Sequence, residues 1–121
     1  MERLFIETHE FASQMKVFKN PDDLLFDIEQ EVLRDLKKLP HERDVISGTG
    51  GFTKIRVALK SEGRGKSGSV RVIYFDCPGQ KITFLFMIYS KTKVENISDA
   101  GKNVLRVMAK ELKAWPPKEK K

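Results

Sequence analysis

Two short runs, Lys54-Ile55-Arg56-Val57 and Val70-Arg71-Val72, alternate a cation with an apolar side chain. That is the two-residue period of a half-buried strand. It stands Lys54 and Arg56 on one face of a sheet and sends Ile55, Val57 and Leu59 to the other. Across residues 48–75 the basic side chains are Lys54, Arg56, Lys60, Arg64, Lys66 and Arg71, against a single acid, Glu62. Between the two runs lies Gly63-Arg64-Gly65-Lys66-Ser67-Gly68, too glycine-rich for a helix and expected to form a flexible, basic hairpin loop. Fixed cations on two strands, with a basic loop at their edge, make a surface suited to phosphates. Taken alone, the same alternation also describes an ordinary solvated sheet face. The glycine loop lacks the spacing and the strand-to-helix context of a P-loop, so a nucleotide cradle is excluded.

Other chemistry-bearing residues are few. His9 and His41 are far apart, near helix ends, without the spacing of metal ligands. Cys77 lies in a turn with no evident base beside it, which argues against a nucleophile. As the only cysteine it permits no intrachain disulfide, which fits a reducing cytoplasm. The 121 residues, 40% hydrophobic and 33% charged, fit one soluble domain with a core that needs neither disulfides nor metals. A formal charge of +6 favours polyanionic partners, although part of it sits in Lys118-Glu119-Lys120-Lys121, a tail expected to fray. Neither a signal peptide, nor an apolar run long enough to span a bilayer, nor an internal repeat is visible.

The elements that must position the cations follow in chain order. Leu4-Phe5-Ile6 predicts a short strand, and Thr8 caps a helix that buries Phe11, Met15 and Phe18. Asn20-Pro21-Asp22-Asp23 opens a longer helix, with proline in the first turn and acids facing its positive end. Its apolar stripe is Leu25, Ile28, Val32, Leu36 and Leu39, ended by Pro40. Asp27, Glu29, Gln30, Glu31, Arg34 and Asp35 read as its wet face. Val45-Ile46 predicts a stub of extended chain before strands near 53–60 and 69–76. Cys77-Pro78-Gly79-Gln80 suits a type II turn. Residues 81–89 then form a strand with Ile82, Phe84, Phe86 and Ile88 on one face and Leu85, Met87 and Tyr89 on the other. Apolar on both sides, this is expected to be a central strand. Ser98-Asp99 caps a last helix with Val104, Leu105, Met108 and Leu112 buried, ending at Trp115 and Pro116-Pro117. The expected fold is α+β: a small antiparallel sheet, formed by a short N-terminal strand and three hairpin-linked strands. Two N-terminal helices pack on one face, a C-terminal helix completes the chain, and the cationic face stays partly open.

The run from Gly48-Thr49-Gly50-Gly51-Phe52-Thr53 through Lys54-Ile55-Arg56-Val57, the glycine loop, and Val70-Arg71-Val72-Ile73-Tyr74 resembles the RelE/ParE toxin superfamily. Within it the chain is most similar to the HigB-type ribosome-dependent toxins. The likeness continues through Ile88-Tyr89-Ser90-Lys91, where those toxins carry Tyr-Gly-Lys or Tyr-Ala-Lys. It implies one RelE-like domain over residues 1–115, with 116–121 as a basic tail. It also implies a type II toxin–antitoxin toxin that inhibits translation: an mRNA interferase cutting in the ribosomal A site without metal or cofactor, the ribose 2′-hydroxyl attacking the adjacent phosphate. On this reading Lys54, Arg56, Arg64 and Arg71 are the catalytic set. Arg56 and Arg71 clamp the phosphate, because a guanidinium binds it bidentately and stays charged. Crowding by both arginines disfavours the Lys54 ammonium and makes that residue the candidate acid or base. Arg64 would complete the site from the loop.

Lys60, Lys66, Lys91 and Lys93 would hold RNA backbone without reading sequence. Two departures stand out: Thr92 replaces an arginine of the RelE branch, and a residue near Ser98 replaces its later tyrosine. A stacking task would then fall to Tyr89, which otherwise edges the core. The implied partners are mRNA, the ribosome and an antitoxin, usually a helix-turn-helix protein, in a hetero-oligomer in the cytoplasm away from any membrane. The antitoxin would grip Val70, Val72 and Tyr74, or else Ile73 and Phe75. Two alternatives stay open: a ParE-like inhibitor of DNA gyrase, and an RNA-binding module without catalysis.

Overall fold

A computed structural model describes residues 3–60, 68–90 and 98–114. Strands β1 (Leu4–Glu7), β2 (Asp44–Val45), β3 (Thr53–Ala58), β4 (Ser69–Cys77) and β5 (Ile82–Ser90) form one sheet in the order β1-β5-β4-β3-β2. Helices α1 (His9–Met15) and α2 (Pro21–Leu36) cover one face, and α3 (Asp99–Lys113) lies against the other. β2 through β5 are antiparallel neighbours, as their hairpin-length links require. β1 pairs parallel to β5, Leu4 opposite Ile82, so the sheet is mixed and β5 is interior.

Each helix starts where local chemistry dictates. The Thr8 hydroxyl accepts from Phe11 N at 3.1 Å, and the Ser98 hydroxyl from Gly101 N at 3.1 Å. α2 relies instead on Pro21 and the first-turn acids Asp22 and Asp23, with no side-chain cap bond from Asn20. It buries Leu24, Ile28 and Val32 completely, against Val57, Val72, Tyr74 and Leu85 of the sheet. Each such side chain contributes about 1.5–3 kcal/mol, far more than a helix cap, so packing fixes α2 in place. The helix stops at Leu36; Leu39 lies beyond it, 57% exposed, and Pro40 opens a 3-10 turn. On the other face Leu105 and Ala109 of α3 close over Phe52, Ile73, Phe75 and Phe84, while Val104 points to solvent.

Three local details differ from the expectation. Pro78–Gln80 is a 3-10 turn instead of the expected type II turn, and the left-handed residue is Lys81, at φ 57°, not Gly79. Asp35, read as wet, is 6% exposed and accepts a 2.6 Å hydrogen bond from the Tyr74 hydroxyl. The strict alternation assumed for β5 fails at Phe86. Leu85 pairs with Tyr74 and Met87 with Ile73, so Phe86 is an extra residue, a β-bulge. Beyond it the parity reverses: Ile88 joins Leu85 under α1 and α2, while Met87 and Tyr89 join Ile82, Phe84 and Phe86 on the α3 side.

Candidate functional site

Ile55 and Val57 turn towards α2, which leaves Lys54 and Arg56 on the opposite face of β3. On β4, Val70 and Val72 face the helices and Arg71 the other way, with Ile73 and Phe75. Arg56 and Arg71 are direct cross-strand partners, and Lys54 lies two residues along from Arg56, opposite Ile73. Lys54, Arg56 and Arg71 therefore share one face. Like charges opposite each other destabilise a strand pair, so the arrangement is not one that folding alone selects.

The three cations differ in surroundings. Arg56 is exposed, and its Nε donates to Ser69 Oγ at 3.2 Å. Arg71 is half-buried, and its Nη1 is a buried donor with no hydrogen-bond partner among the described residues. A buried guanidinium N–H without an acceptor is expensive, and an anion is the group that would satisfy it. Lys54 Nζ lies 3.9 Å from Asp44 Oδ2 across the β2–β3 pair, with the lysine side chain 32% exposed. That carboxylate offsets the crowding inferred from the two arginines alone.

All three cations border one cavity of about 380 Å3. Glu31, Arg34 and Asp35 of α2 and Lys38 just past its end line it as well, with Asp44 and Ile55, so the cavity reaches round the β2–β3 edge of the sheet to the α2 side. The acids are already engaged: Glu31 with Arg34, and Asp35 with Lys38 at 3.2 Å as well as with Tyr74. Burial foremost, and then the Asp35 hydrogen bond and charge, push the Tyr74 hydroxyl pKa far above the ordinary tyrosine value. The site is thus a cationic sheet face beside a self-neutralised helix wall. The wall escaped the sequence reading because its residues are spread over α2 and β2; the near-continuous polar run on α2 was its only signal.

Of the remaining candidates, Lys60 is exposed just past β3. Tyr89 is half-buried, directly opposite Arg71 on the same face. Arg64, Lys66, Lys91 and Lys93 lie outside the described residues, as does the glycine loop up to Ser67. Neither apolar set suggested for antitoxin grip is on the surface: Val70, Val72, Tyr74, Ile73 and Phe75 are each at most 3% exposed. At these positions both faces of β4 are consumed by the core. Burial also pushes the Cys77 thiol pKa up, with Asp76 adding to it, and its Sγ donates to Leu112 O at 3.4 Å, which is inert packing.

A five-stranded mixed sheet with basic side chains on one face, covered by two helices on one side and one on the other, defines a class of small α+β proteins. The chain belongs to the RelE family: the sequence model described as "RelE toxin of RelE / RelB toxin-antitoxin system" matches residues 15–119. The fold is also similar to that of E. coli toxin RelE, solved as an arginine-to-alanine mutant in the free state. That likeness has a TM-score of 0.58 at 12% identity and covers 88% of this chain and 99% of the other. Family membership makes the protein the toxin of a toxin–antitoxin pair, with an antitoxin as its partner. Among the described residues no helix is long and apolar enough to cross a membrane, and no group of His, Cys, Asp and Glu is arranged to hold a metal ion.

Proposed function

We propose that the protein is an endoribonuclease of the HigB type that cuts mRNA on the ribosome and so arrests translation in the cytoplasm. The observation that carries this reading is the meeting of Lys54, Arg56 and Arg71 on one face, with a buried Arg71 N–H lacking an acceptor among the described residues. The nucleophile belongs to the substrate. The ribose 2′-oxygen forms a bond to the adjacent phosphorus as the P–O5′ bond breaks. The 2′-hydroxyl proton leaves to a base, and the 5′ oxygen gains one, leaving a 2′,3′-cyclic phosphate and a 5′-hydroxyl. Negative charge grows on the phosphoryl and leaving oxygens, where preorganised cations contribute most. Arg56 and Arg71 bind those oxygens and Lys54 exchanges a proton. Arg64 joins them when RNA is seated. Tyr89 supports the neighbouring nucleotide, and Lys60, Lys66, Lys91 and Lys93 hold phosphates along the strand and in ribosomal RNA. The antitoxin, a helix-turn-helix protein in this proposal, forms a hetero-oligomer that denies the face to mRNA.

The test is purified toxin added to translating ribosomes, with transcript 5′ ends mapped for wild type, Lys54→Ala and Arg71→Ala. New ends with wild type alone support the reading. A folded wild type that leaves mRNA whole removes it. In that event a parallel supercoiling assay distinguishes a gyrase inhibitor from a binding module.

A further inference from the structure

We infer that Thr8 and Gln14, on the face of the sheet remote from the cations, are positioning residues for Tyr89. The argument starts from register. Between the 3-10 turn and Phe86 each β4–β5 pair follows from Cys77 opposite Ile82. Continued without a bulge, that register would set Ile88 opposite Arg71 and turn Tyr89 under α1 and α2, opposite Val70. With Phe86 extra, Tyr89 stands opposite Arg71 on the cationic face instead. One added residue therefore decides which side chain neighbours the arginine.

A bulge removes ladder hydrogen bonds, and interior polar groups left unpaired are costly. Here α1 and its cap supply the partners. The Thr8 hydroxyl donates to Phe86 O at 2.8 Å while accepting from Phe11 N, and Thr8 N donates to Leu85 O at 3.1 Å. Gln14 Oε1 accepts from Ile88 N at 2.9 Å. Gln14 Nε2 donates to a Glu10 carboxylate oxygen at 3.2 Å, which fixes the amide so that its oxygen meets the strand. Thr8 and Gln14 thus bracket the irregularity, one on each side of Met87. Phe86 itself is anchored in the second core by Phe52, ring centroids 5.0 Å apart.

The inference rests on the reading of Tyr89 as an RNA contact, and the experiment separates the two. Thr8→Val with Gln14→Leu removes both bulge partners; Thr8→Ser keeps the hydroxyl and serves as the rescue. In the ribosome cleavage assay the double variant raises KM about tenfold, as losing one base stack does, and Thr8→Ser stays at wild type. Introduced on a Tyr89→Ala background the pair adds nothing further, because all act through one contact. Independently of activity, the cross-strand nuclear Overhauser contact between Arg71 and Tyr89 backbones disappears in the folded double variant. Retention of that contact, or full additivity with Tyr89→Ala, overturns the inference. If wild type cuts no mRNA, the function falls while the backbone contact still decides the bulge.

Discussion

Arg56 beside Arg71 is a pairing that a sheet resists, by about 0.2–1 kcal/mol for charges directly opposed. Arg71→Met keeps the length and removes the repulsion and the orphaned donor. We expect its urea-unfolding free energy to equal or exceed wild type, while cleavage on ribosomes falls about a hundred- to thousandfold. A comparable loss of stability would show Arg71 to be structural. Tyr74 is the opposite case. Its hydroxyl ties β4 to Asp35 of α2, so Tyr74→Phe should cost about 1–3 kcal/mol in urea unfolding by stripping a buried carboxylate of a donor. Its pKa is raised in the folded state, so the unfolded chain loses the proton first. Stability is fully present below about pH 10, the ordinary tyrosine value, and declines above it. Tyr74→Phe should flatten that alkaline decline. The cations were legible in the sequence because alternation alone fixes their face. Asp35 was not, because its distinction from Glu31 is Tyr74, thirty-nine positions along the chain.

Helices and turns explain where that legibility ended. Caps at Thr8 and Ser98 were readable, since capping is local chemistry. The bulge was not: nothing in Phe84-Leu85-Phe86-Met87 marks an extra residue, and only pairing with β4 and support from α1 reveal it. The path into β3 makes a sharper prediction. Gly50, at φ +80°, would place a Cβ 3.1 Å from that of Ala109 on α3. Gly50→Ala combines a left-handed backbone with this clash, and should destabilise by about 1–2 kcal/mol in thermal or urea unfolding. Ser98→Ala, which removes only a cap, should cost about 1 kcal/mol. If the two variants lose the same stability, the close approach of α3 is not what holds this corner.

Across the whole molecule, charge is distributed so that the sheet face is cationic while the α2 wall neutralises itself through the Glu31–Arg34 and Asp35–Lys38 pairs. Ribosome binding should weaken steeply as salt rises, and Arg71→Met should reduce the magnitude of the log–log slope by about one if Arg71 meets a phosphate. An unchanged slope would place the RNA elsewhere.

The partnership of β1 with β5 carries a consequence for synthesis. Hairpins β3–β4 and β4–β5 join neighbours and can zip as soon as they emerge, but Leu4 must wait for Ile82 to find its place. Loop closure over most of a polypeptide is slow, so the first residues made are among the last to settle. A nascent chain consequently keeps its first strand without a partner until β5 has left the exit tunnel.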